Sequence, residues 1–352
     1  MKKIEINYFD LLQVIRQGKM GLQALNSMLG INIDDLELEL NTKAKKLGDA
    51  YSGGDIKGKP VYLFSYQDCP IAAQMVQWAK VYAFALEGSA YTTHEISDYD
   101  VREEDPYMQI AVYDPDEKMF MAGLRYLPLY KGVVYEKSSM SKLFVPNERL
   151  KLFFADALEL GATFVVPEIQ NSMEAQHYLF SAMAFAIVLN DDAKYLVGRP
   201  TIPGTIIDDV KQMISSWMQE TFPTSNLIDG ERGPLMMYNE IPQPIELKAF
   251  SSFADEYNEN VMNGDRKYSE GLTIRKKISL INNMVKARGV NFPDIVRFYT
   301  KITTDGIGLI VLGPPVRNVD YLTGSWEFPI LIRKEYIASI HTIYIEHVKK
   351  FM

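Results

Sequence analysis

The sequence has very few of the residues that build disulfides and metal centres. Cys69 is the single cysteine, so no disulfide forms within the chain and no thiolate cluster is available to a metal. The histidines, which show no metal-ligand spacing, are His94, His177, His341 and His347. We therefore expect no metal, and no nucleophilic role for Cys69, because no His–acid pair is placed beside it.

Long apolar runs and an excess of positive charge are also missing. No apolar run reaches the roughly 18 residues that a membrane-spanning helix needs, so the sequence predicts no such helix. The basic N-terminal tip lacks an unbroken apolar core and a small-residue cleavage site, so we predict no signal peptide and a cytoplasmic location. The formal net charge of −8 argues against a nucleic-acid partner. With 47% hydrophobic residues, the chain has enough apolar side chains for a large core.

The 352 residues are enough for one large domain or two, and no linker proves a second. Apolar residues recur at helical spacing from Phe9 to Leu29, followed by the polar connection AKKLGDAYSGGDIKGKP. We therefore predict a helical extension and flexible linker over residues 1–58 and a main domain over residues 59–352. Residues 221–270, rich in Pro, Asn, Gly and Glu, predict an irregular excursion over the surface.

The stretch from Asp156 to Pro203 predicts a β-α-β unit. An apolar run at 161–166 precedes a helical pattern over 172–189, with Asn171 as its N-cap, and a second apolar run spans 194–202. Such a unit places its strands parallel, with the helix packed across them. A hairpin with strands at 109–113 and 119–127 adds an antiparallel pair, so we predict an α/β fold with a mixed sheet. Further strands are predicted at 59–66, 308–313 and 328–332, and helices at 71–86, 205–220, 274–287 and 335–350.

Several segments, taken in order, resemble one family. They are KPVYLFSYQDCP, QWAKVYAFALEG, HEISDYDVREEDPYMQIAVYDPDEKMFMAGLRYLPL, ALELGATFVVPEIQ, DDAKYLVGRPTIP and VKARGVNFPDIVRFYTKI. From about Lys59 onward the chain resembles the GNAT superfamily, in the branch of hemolysin-like N-acyltransferases and acyl-homoserine-lactone synthases. Within that branch it is most similar to the Bacteroidetes enzymes that begin glycine-lipid synthesis. The resemblance implies a GNAT-like fold with C-terminal additions, and acyl transfer from a thioester to an amine.

The resemblance also assigns roles to residues, some of which depart from the family pattern. Of the Glu-x-x-Arg motif, Glu159 is kept but Ala162 replaces the arginine. Alanine has no planar donor fork, so either the substrate has changed or the activity is lost. The other matching positions are Lys80 in place of an arginine, the aromatic Phe84, Ser97 and Asp100 in the acidic loop, and the strand arginine Arg125.

Amine acylation requires a group that takes the amine proton, donors for the oxyanion, and alignment of donor with acceptor. The resemblance implies Glu159 as base or amine-orienting group, Asp100 as a group that holds the amine or the first helix, and Arg125 as a ligand of a substrate carboxylate. Alternatively, Glu159 forms an ion pair with Arg125 or a lysine, Asp100 is a solvated loop acid, and Arg125 ties both acids into a buried network.

The remaining substrate-binding assignments are implied by the resemblance alone. They are Lys80, Phe84, Ser97, Phe164 and Val165. For Lys80 the simpler interpretation is a surface lysine on a helix.

The acyl donor is predicted from a missing motif. PEIQNSMEAQ stands where acetyl-CoA-using members of the superfamily carry a glycine-rich pyrophosphate loop, which favours an acyl carrier protein thioester over CoA. Carrier proteins are acidic, so their docking surface would be basic, and the candidates are Lys137, Lys142, Arg149 and Lys151. Alternatively, these are scattered solvated charges. No resident cofactor is implied, the acceptor would be an amino acid such as glycine in aminolipid synthesis, and peripheral contact with the inner membrane is allowed.

Two rival functions remain open from the sequence. One is a non-catalytic relative that binds an acyl chain, a lipid or a protein; a cleft filled by aromatic side chains would favour it, whereas an open apolar tunnel beside Glu159 would favour acyl transfer. The other is a CoA-dependent acetyltransferase of a small amine, which requires free backbone N–H groups at the start of the helix near Asn171.

Overall fold

The structure is a computed structural model, and it describes residues 7–52, 58–170, 172–228, 233–239, 245–261 and 273–352. Its strands are β1 (Lys45–Asp49), β2 (Pro60–Phe64), β3 (Met108–Asp114), β4 (Met119–Pro128), β5 (Phe144–Pro146), β6 (Ala157–Val165), β7 (Tyr195–Gly198), β8 (Thr201–Ile202), β9 (Met236–Tyr238), β10 (Leu309–Val311), β11 (Val316–Arg317), β12 (Trp326–Glu327) and β13 (Ile330–Arg333). Its helices are α1 (Tyr8–Arg16), α2 (Leu22–Met28), α3 (Ile33–Thr42), α4 (Pro70–Glu87), α5 (Asp98–Val101), α6 (Glu148–Phe154), α7 (Met173–Leu189), α8 (Asp208–Thr221), α9 (Phe250–Val261), α10 (Ile274–Ala287), α11 (Asp294–Lys301) and α12 (Ser339–Lys349).

The main sheet has eight strands in the order β1-β2-β3-β4-β6-β7-β13-β10. β6 and β7 are parallel and joined through α7, and the other neighbours are antiparallel. This arrangement confirms the predicted mixed α/β fold and its β-α-β unit. Two small sheets, β11-β12-β8 and β5-β9, lie outside it.

Helix α7 shows how local sequence sets an element's start. Ser172 is its N-cap, and the Ser172 hydroxyl accepts a hydrogen bond from the backbone N–H of Ala175 at 3.2 Å. The predicted cap, Asn171, lies outside the described residues. Tyr178, Ala182 and Phe185, spaced at helical intervals, are buried as predicted.

Three predictions about the chain's organisation are wrong in detail. Residues 45–49 of the predicted flexible connection form β1, a polar edge strand with one buried residue, Leu47, so it carries little apolar pattern. The predicted strand over residues 194–202 is split into β7 and β8, which belong to different sheets. Between them stand Arg199 and Pro200, and proline has no N–H with which to continue a ladder. Helix α9 also lies inside the predicted irregular excursion.

The N-terminal helices share the core of the main sheet. Leucines and isoleucines of α1, α2 and α3 are buried in the same apolar cluster as α4, and the Glu39 carboxylate accepts a hydrogen bond from the Ala72 N–H at the start of α4, at 2.8 Å. The buried residues concerned are Leu11, Leu12, Ile15, Leu22, Leu25, Leu36 and Leu40. These helices therefore stabilise α4, which carries the candidate site residues Lys80 and Phe84.

The C-terminal helix α12 contacts α7 and the early strand β1. It packs on α7, where the Tyr344 hydroxyl lies 2.8 Å from His177 Nδ1, and His347 Nε2 lies 3.0 Å from the Asp49 carbonyl oxygen. The Phe351 ring covers Gly48, where a Cβ would come within 2.7 Å of it. Across the ranges described, no helix combines the length and the apolar character that crossing a membrane demands.

Candidate active site

Strands β6 and β7 pair only at their first residues. Residues 157–159 oppose residues 195–197, with Glu159 opposite Val197, and β7 ends at Gly198 while β6 continues to Val165. In the part of the chain that the structure describes, no strand pairs with β6 on the β7 side beyond Glu159. The two strands therefore splay apart, and Glu159 lies at the apex of the splay.

On its other side, β6 contains a bulge opposite β4. Arg125 pairs with Gly161 and Gly123 with Phe164, so two residues of β6 face the single residue Leu124. Ala162 is one of the two, and its φ of +47° is in the left-handed region, which non-glycine residues rarely adopt. The position where the resembled family has arginine is therefore a half-buried bulge residue without a charge.

Asp100 and Arg125 form a buried ion pair. Asp100 is 2% exposed and Arg125 is 7% exposed, and Arg125 Nη1 donates to Asp100 Oδ2 at 2.5 Å. Gln109, opposite Arg125 on β3, donates to Asp100 Oδ1 at 2.9 Å. The interpretation of Asp100 as a solvated loop acid is wrong, because Ser97 caps the short helix α5 and turns Asp100 inward over the sheet.

Lys80 lies beside this pair and is not a surface lysine, which corrects the simpler interpretation. Its side chain is 3% exposed, and among the described residues it makes no hydrogen bond or ion pair. Burial lowers the pKa of Lys80 to about 8; the charge of Asp100 raises it and that of Arg125 lowers it further. Beside the Asp100–Arg125 pair there is thus a buried amine, Lys80 Nζ, that loses its proton at a lower pH than an ordinary lysine does.

The Lys80 ammonium should make stability depend on pH. Its folded-state pKa of about 8 lies below the usual 10.5, so between these values the unfolded chain binds more protons and stability rises with pH. We expect the unfolding free energy of the wild type, relative to Lys80→Met, to rise by about 2 kcal/mol from pH 7 to pH 9.5 in urea titrations. Subtracting the unfolding free energy of Lys80→Met removes the effect of groups that titrate in both proteins. A difference that does not change with pH would contradict a lowered pKa of Lys80.

Glu159 has one partnered and one free carboxylate oxygen. Oε1 accepts a hydrogen bond from the Ser139 hydroxyl at 2.9 Å, whereas Oε2 is buried and has no hydrogen-bond partner among the described residues. The side chain is 1% exposed. A buried carboxylate oxygen without a donor is costly, so this atom is suited to receive one from a ligand.

Tyr107 separates Glu159 from Arg125. The Arg125 guanidinium lies 4.4 Å from the centroid of the Tyr107 ring, and the Tyr107 hydroxyl accepts the Ser139 N–H at 2.7 Å. Burial, then the charge of Glu159 and the closeness of the Tyr107 hydroxyl to the Glu159 carboxylate, raise the pKa of Tyr107 well above its usual value, so the phenol stays protonated. Among the described residues Glu159 forms no ion pair, so the alternative in which it pairs with Arg125 or a lysine is wrong, and Arg125 belongs to a network with Asp100.

Arg199, which sequence analysis missed, forms a second buried ion pair just past β7. Its Nη1 donates to Glu327 Oε2 at 3.0 Å. Glu327 is 1% exposed and accepts three more hydrogen bonds. The donors are Asn318 Nδ2 at 2.9 Å, Thr201 Oγ1 at 3.0 Å and the Tyr321 hydroxyl at 3.2 Å. The only sequence signal was an arginine inside the second predicted strand of the β-α-β unit, residues 194–202.

An aromatic side chain enters the splay. Tyr299 of α11 is 7% exposed and hydrogen-bonds with Thr163 of β6, and a Cβ at Gly198 of β7 would lie 3.9 Å from its hydroxyl. Tyr299 therefore lies between the two strands. By the criterion set from the sequence, this part of the cleft is filled by an aromatic side chain and is not an open tunnel.

The other predicted substrate-binding residues take different positions. Phe84, one turn after Lys80 on α4, is half-buried and packs edge-on against Tyr91 with ring centroids 5.3 Å apart. Ser97 contacts the backbone of α5, where its oxygen accepts the Tyr99 N–H at 3.3 Å. Phe164 is buried against Gly123, and Val165 is half-buried at the end of β6. Their contact with a substrate stays a prediction.

Of the predicted docking residues, Lys142 lies three positions after Ser139, the hydrogen-bond partner of Glu159, whereas Arg149 and Lys151 lie on α6. Arg149 and Lys151 are exposed, and Lys137, Lys142 and Lys151 form ion pairs with carboxylates of this chain. The pairs are Lys137 with Glu104 and Asp105, Lys142 with Asp320, and Lys151 with Glu148, at 2.6 to 3.2 Å. The positive charge of this surface is largely neutralised locally.

Comparison with known proteins supports acyl transfer. Glycine N(alpha)-acyltransferase of Phocaeicola vulgatus is 23% identical over 256 residues, covering 69% of this chain and 72% of that protein. The protein of the same name from Bacteroides thetaiotaomicron is 21% identical over 256 residues, covering 69% of each. No protein-family model matches the chain. These relatives confirm the predicted relationship to this N-acyltransferase branch and the prediction of an acyltransferase enzyme.

Solved structures give more distant matches. TofI, in a ternary complex with an inhibitor and MTA, superposes with a TM-score of 0.35 and 9% identity, covering 81% of this chain and 96% of that chain. The CoA-dependent acyl-homoserine lactone synthase BjaI, with MTA, gives 0.34 and 10%, covering 82% and 88%.

Proposed function

We propose that this acyltransferase moves a fatty or 3-hydroxyacyl group from an acyl carrier protein thioester to the amine of an amino acid such as glycine. The observation that carries the proposal is the free Oε2 of Glu159 at the apex of the β6–β7 splay. The similarity to proteins named glycine N(alpha)-acyltransferase supports the choice of acceptor.

In the proposed reaction the amine approaches Glu159 Oε2, which takes its proton. The nitrogen then attacks the thioester carbonyl, the C–N bond forms, the C–S bond breaks, and the thiolate leaves and takes up a proton. Backbone groups of β6 beyond Glu159, unpaired on the β7 side, are available to the developing oxyanion. The Ser139 hydroxyl, bonded to Oε1, fixes the carboxylate so that Oε2 faces the acceptor.

The buried network of Asp100, Arg125 and Gln109 acts as a positioning unit in this proposal. Asp100 accepts from both Arg125 and Gln109, and Arg125 in turn packs on Tyr107, which shares Ser139 with Glu159. These contacts link helix α5, strands β3 and β4, and the Glu159 carboxylate in one rigid arrangement. Such preorganisation is what alignment of amine and thioester requires.

A carrier-protein donor makes a separate prediction about α6. Arg149→Glu with Lys151→Glu should lower kcat/KM for acyl carrier protein about tenfold at low salt, because rim charges mainly set the association rate. The same variant should use acyl-pantetheine as well as the wild type does. Lys45→Glu, an exposed lysine on edge strand β1, is the matched control. Equal losses with both donors would contradict docking at α6.

The direct test is thiol release from purified protein. Wild type is mixed with 3-hydroxypalmitoyl carrier protein and, separately, with palmitoyl-CoA, in the presence of glycine, other amino acids or no amine. We expect amine-dependent release of thiol and an N-acyl amino acid of the matching mass. Well-folded protein that releases no thiol with any amine from either donor would overturn the proposal, and release from CoA alone would overturn the carrier-protein donor.

A further inference from the structure

Arg199 lies where a substrate carboxylate would need a cation. We propose that its guanidinium binds the carboxylate of the amino-acid acceptor and so makes the enzyme select α-amino acids over plain amines. This inference rests on the proposed function, since it concerns the acceptor of that reaction. It assigns the carboxylate to Arg199 rather than to Arg125.

Arg199 stands close to Glu159 in the fold. Glu159 pairs with Val197 of β7, and Arg199 follows two positions later, directly after the last residue of that strand. The charges of the two residues also interact. Burial opposes the charge on Arg199, but Glu327, Tyr321 and Glu159 outweigh it and raise the pKa of the guanidinium.

Arg199 has hydrogen-bond donors to spare. Among the described residues its side chain donates one hydrogen bond, from Nη1 to Glu327, although a guanidinium has five N–H groups. Its side chain is 17% exposed, and Nε and Nη2 are not among the fully buried atoms without a partner. These nitrogens therefore keep some accessible surface and have no partner among the described residues. Arg125, by contrast, is 7% exposed, bonded to Asp100 and covered by Tyr107.

Glu327 holds the guanidinium in place. The Glu327 carboxylate accepts hydrogen bonds from four different residues, two at Oε1 and two at Oε2, so its orientation is fixed. An arginine clamped at one nitrogen keeps its planar fork oriented, which favours bidentate binding of a second carboxylate. An α-amino acid carries amine and carboxylate on one carbon, so one molecule could present its amine to Glu159 and its carboxylate to Arg199.

This placement also accounts for the missing family arginine. Ala162 leaves β6 without a cation, and Arg199, directly after the end of the neighbouring strand β7, supplies one on the other side of the splay. The site thus keeps a positive group near Glu159 although the motif is broken.

The test compares glycine with glycinamide, which keeps the amine but lacks the carboxylate. We expect Arg199→Met to raise the KM for glycine about 10- to 100-fold, as expected for loss of a charge-assisted pair, with kcat changed much less. The KM for glycinamide should change less than about twofold, so the preference for glycine disappears. Arg199→Lys should fall between the two proteins, because lysine keeps the charge without the fork.

Arg199→Met leaves the Glu327 carboxylate buried without its cation, so the double variant Arg199→Met/Glu327→Gln provides a neutral version of the same cluster. It should show the same loss of preference. A wild-type glycine preference in either folded variant would overturn the inference and leave the proposed function intact. If the wild type used glycine and glycinamide equally well, the role of Arg199 would be wrong and the proposed function would stand. If the wild type acylated no amine, the proposed function itself would be wrong.

Discussion

Glu159→Gln is expected to lower kcat for amine-dependent thiol release about 10²- to 10⁴-fold, the usual contribution of a positioned general base. The substitution preserves the size of the side chain and leaves an amide oxygen that can still accept from Ser139. It removes the basic oxygen at the apex of the splay, where Oε2 has no protein partner. The defect should therefore appear in kcat rather than in folding.

The matched control is Glu136→Gln, the same change at an exposed position between β4 and β6. It should retain wild-type kcat and KM within about twofold, since exposed substitutions away from a site are usually neutral. Initial rates of thiol release, followed with a disulfide reagent that reacts with the free thiol, give both kcat and KM. Full activity of folded Glu159→Gln would keep the enzyme but assign its base to another group.

Asp100→Ala is expected to destabilise the protein by about 3–5 kcal/mol, the cost of removing one partner of a buried ion pair. The cost arises because Arg125 would remain as a buried cation close to Lys80, and because the Gln109 amide would lose its acceptor. The measurement is urea unfolding followed by circular dichroism at pH 7.

Two further variants make that result specific. Asp98→Ala removes an exposed carboxylate from the same short helix and should cost less than about 1 kcal/mol. Adding Lys80→Met to Asp100→Ala should recover part of the loss, because it removes one of the two neighbouring cations. If Asp100→Ala and Asp98→Ala lose the same stability, Asp100 is not the centre of a buried network.

The sequence predicted the elements whose periodicity is strong. The hairpin of β3 and β4 and helix α4 were predicted within a few residues, because alternation or helical spacing of apolar residues continues through each. The β-α-β unit was predicted in kind, but β6 starts four residues earlier than predicted and the second predicted strand is split into β7 and β8. β1 was missed because an edge strand that buries only Leu47 has almost no pattern. The pairing of β1 with β2 depends on the rest of the sheet, and the residues near β1 in the sequence carry no information about that sheet.

Candidate site residues were predictable only as residue types. Asp100 looked like a solvated acid, since nothing local shows that α5 folds it over Gln109 and Arg125. Arg199 carried no motif at all, because its partner Glu327 is 128 positions away. Tyr299 likewise reaches the splay from a helix far along the chain. Such distant pairings are set by topology, and a single sequence does not display them.

The meeting of α12 with β1 has a consequence for how the chain is made. His347 and Asp49 touch across a sequence separation of 298 positions, and Phe351 covers Gly48 in the same corner. Closing so long a loop is entropically costly, so contacts of this kind form late and slow folding. During vectorial synthesis β1 therefore leaves the ribosome long before α12, and its Gly48–Asp49 end stays uncovered until residues 339–351 have been made. Helix α12 and Phe351 then hold that end of β1 in place.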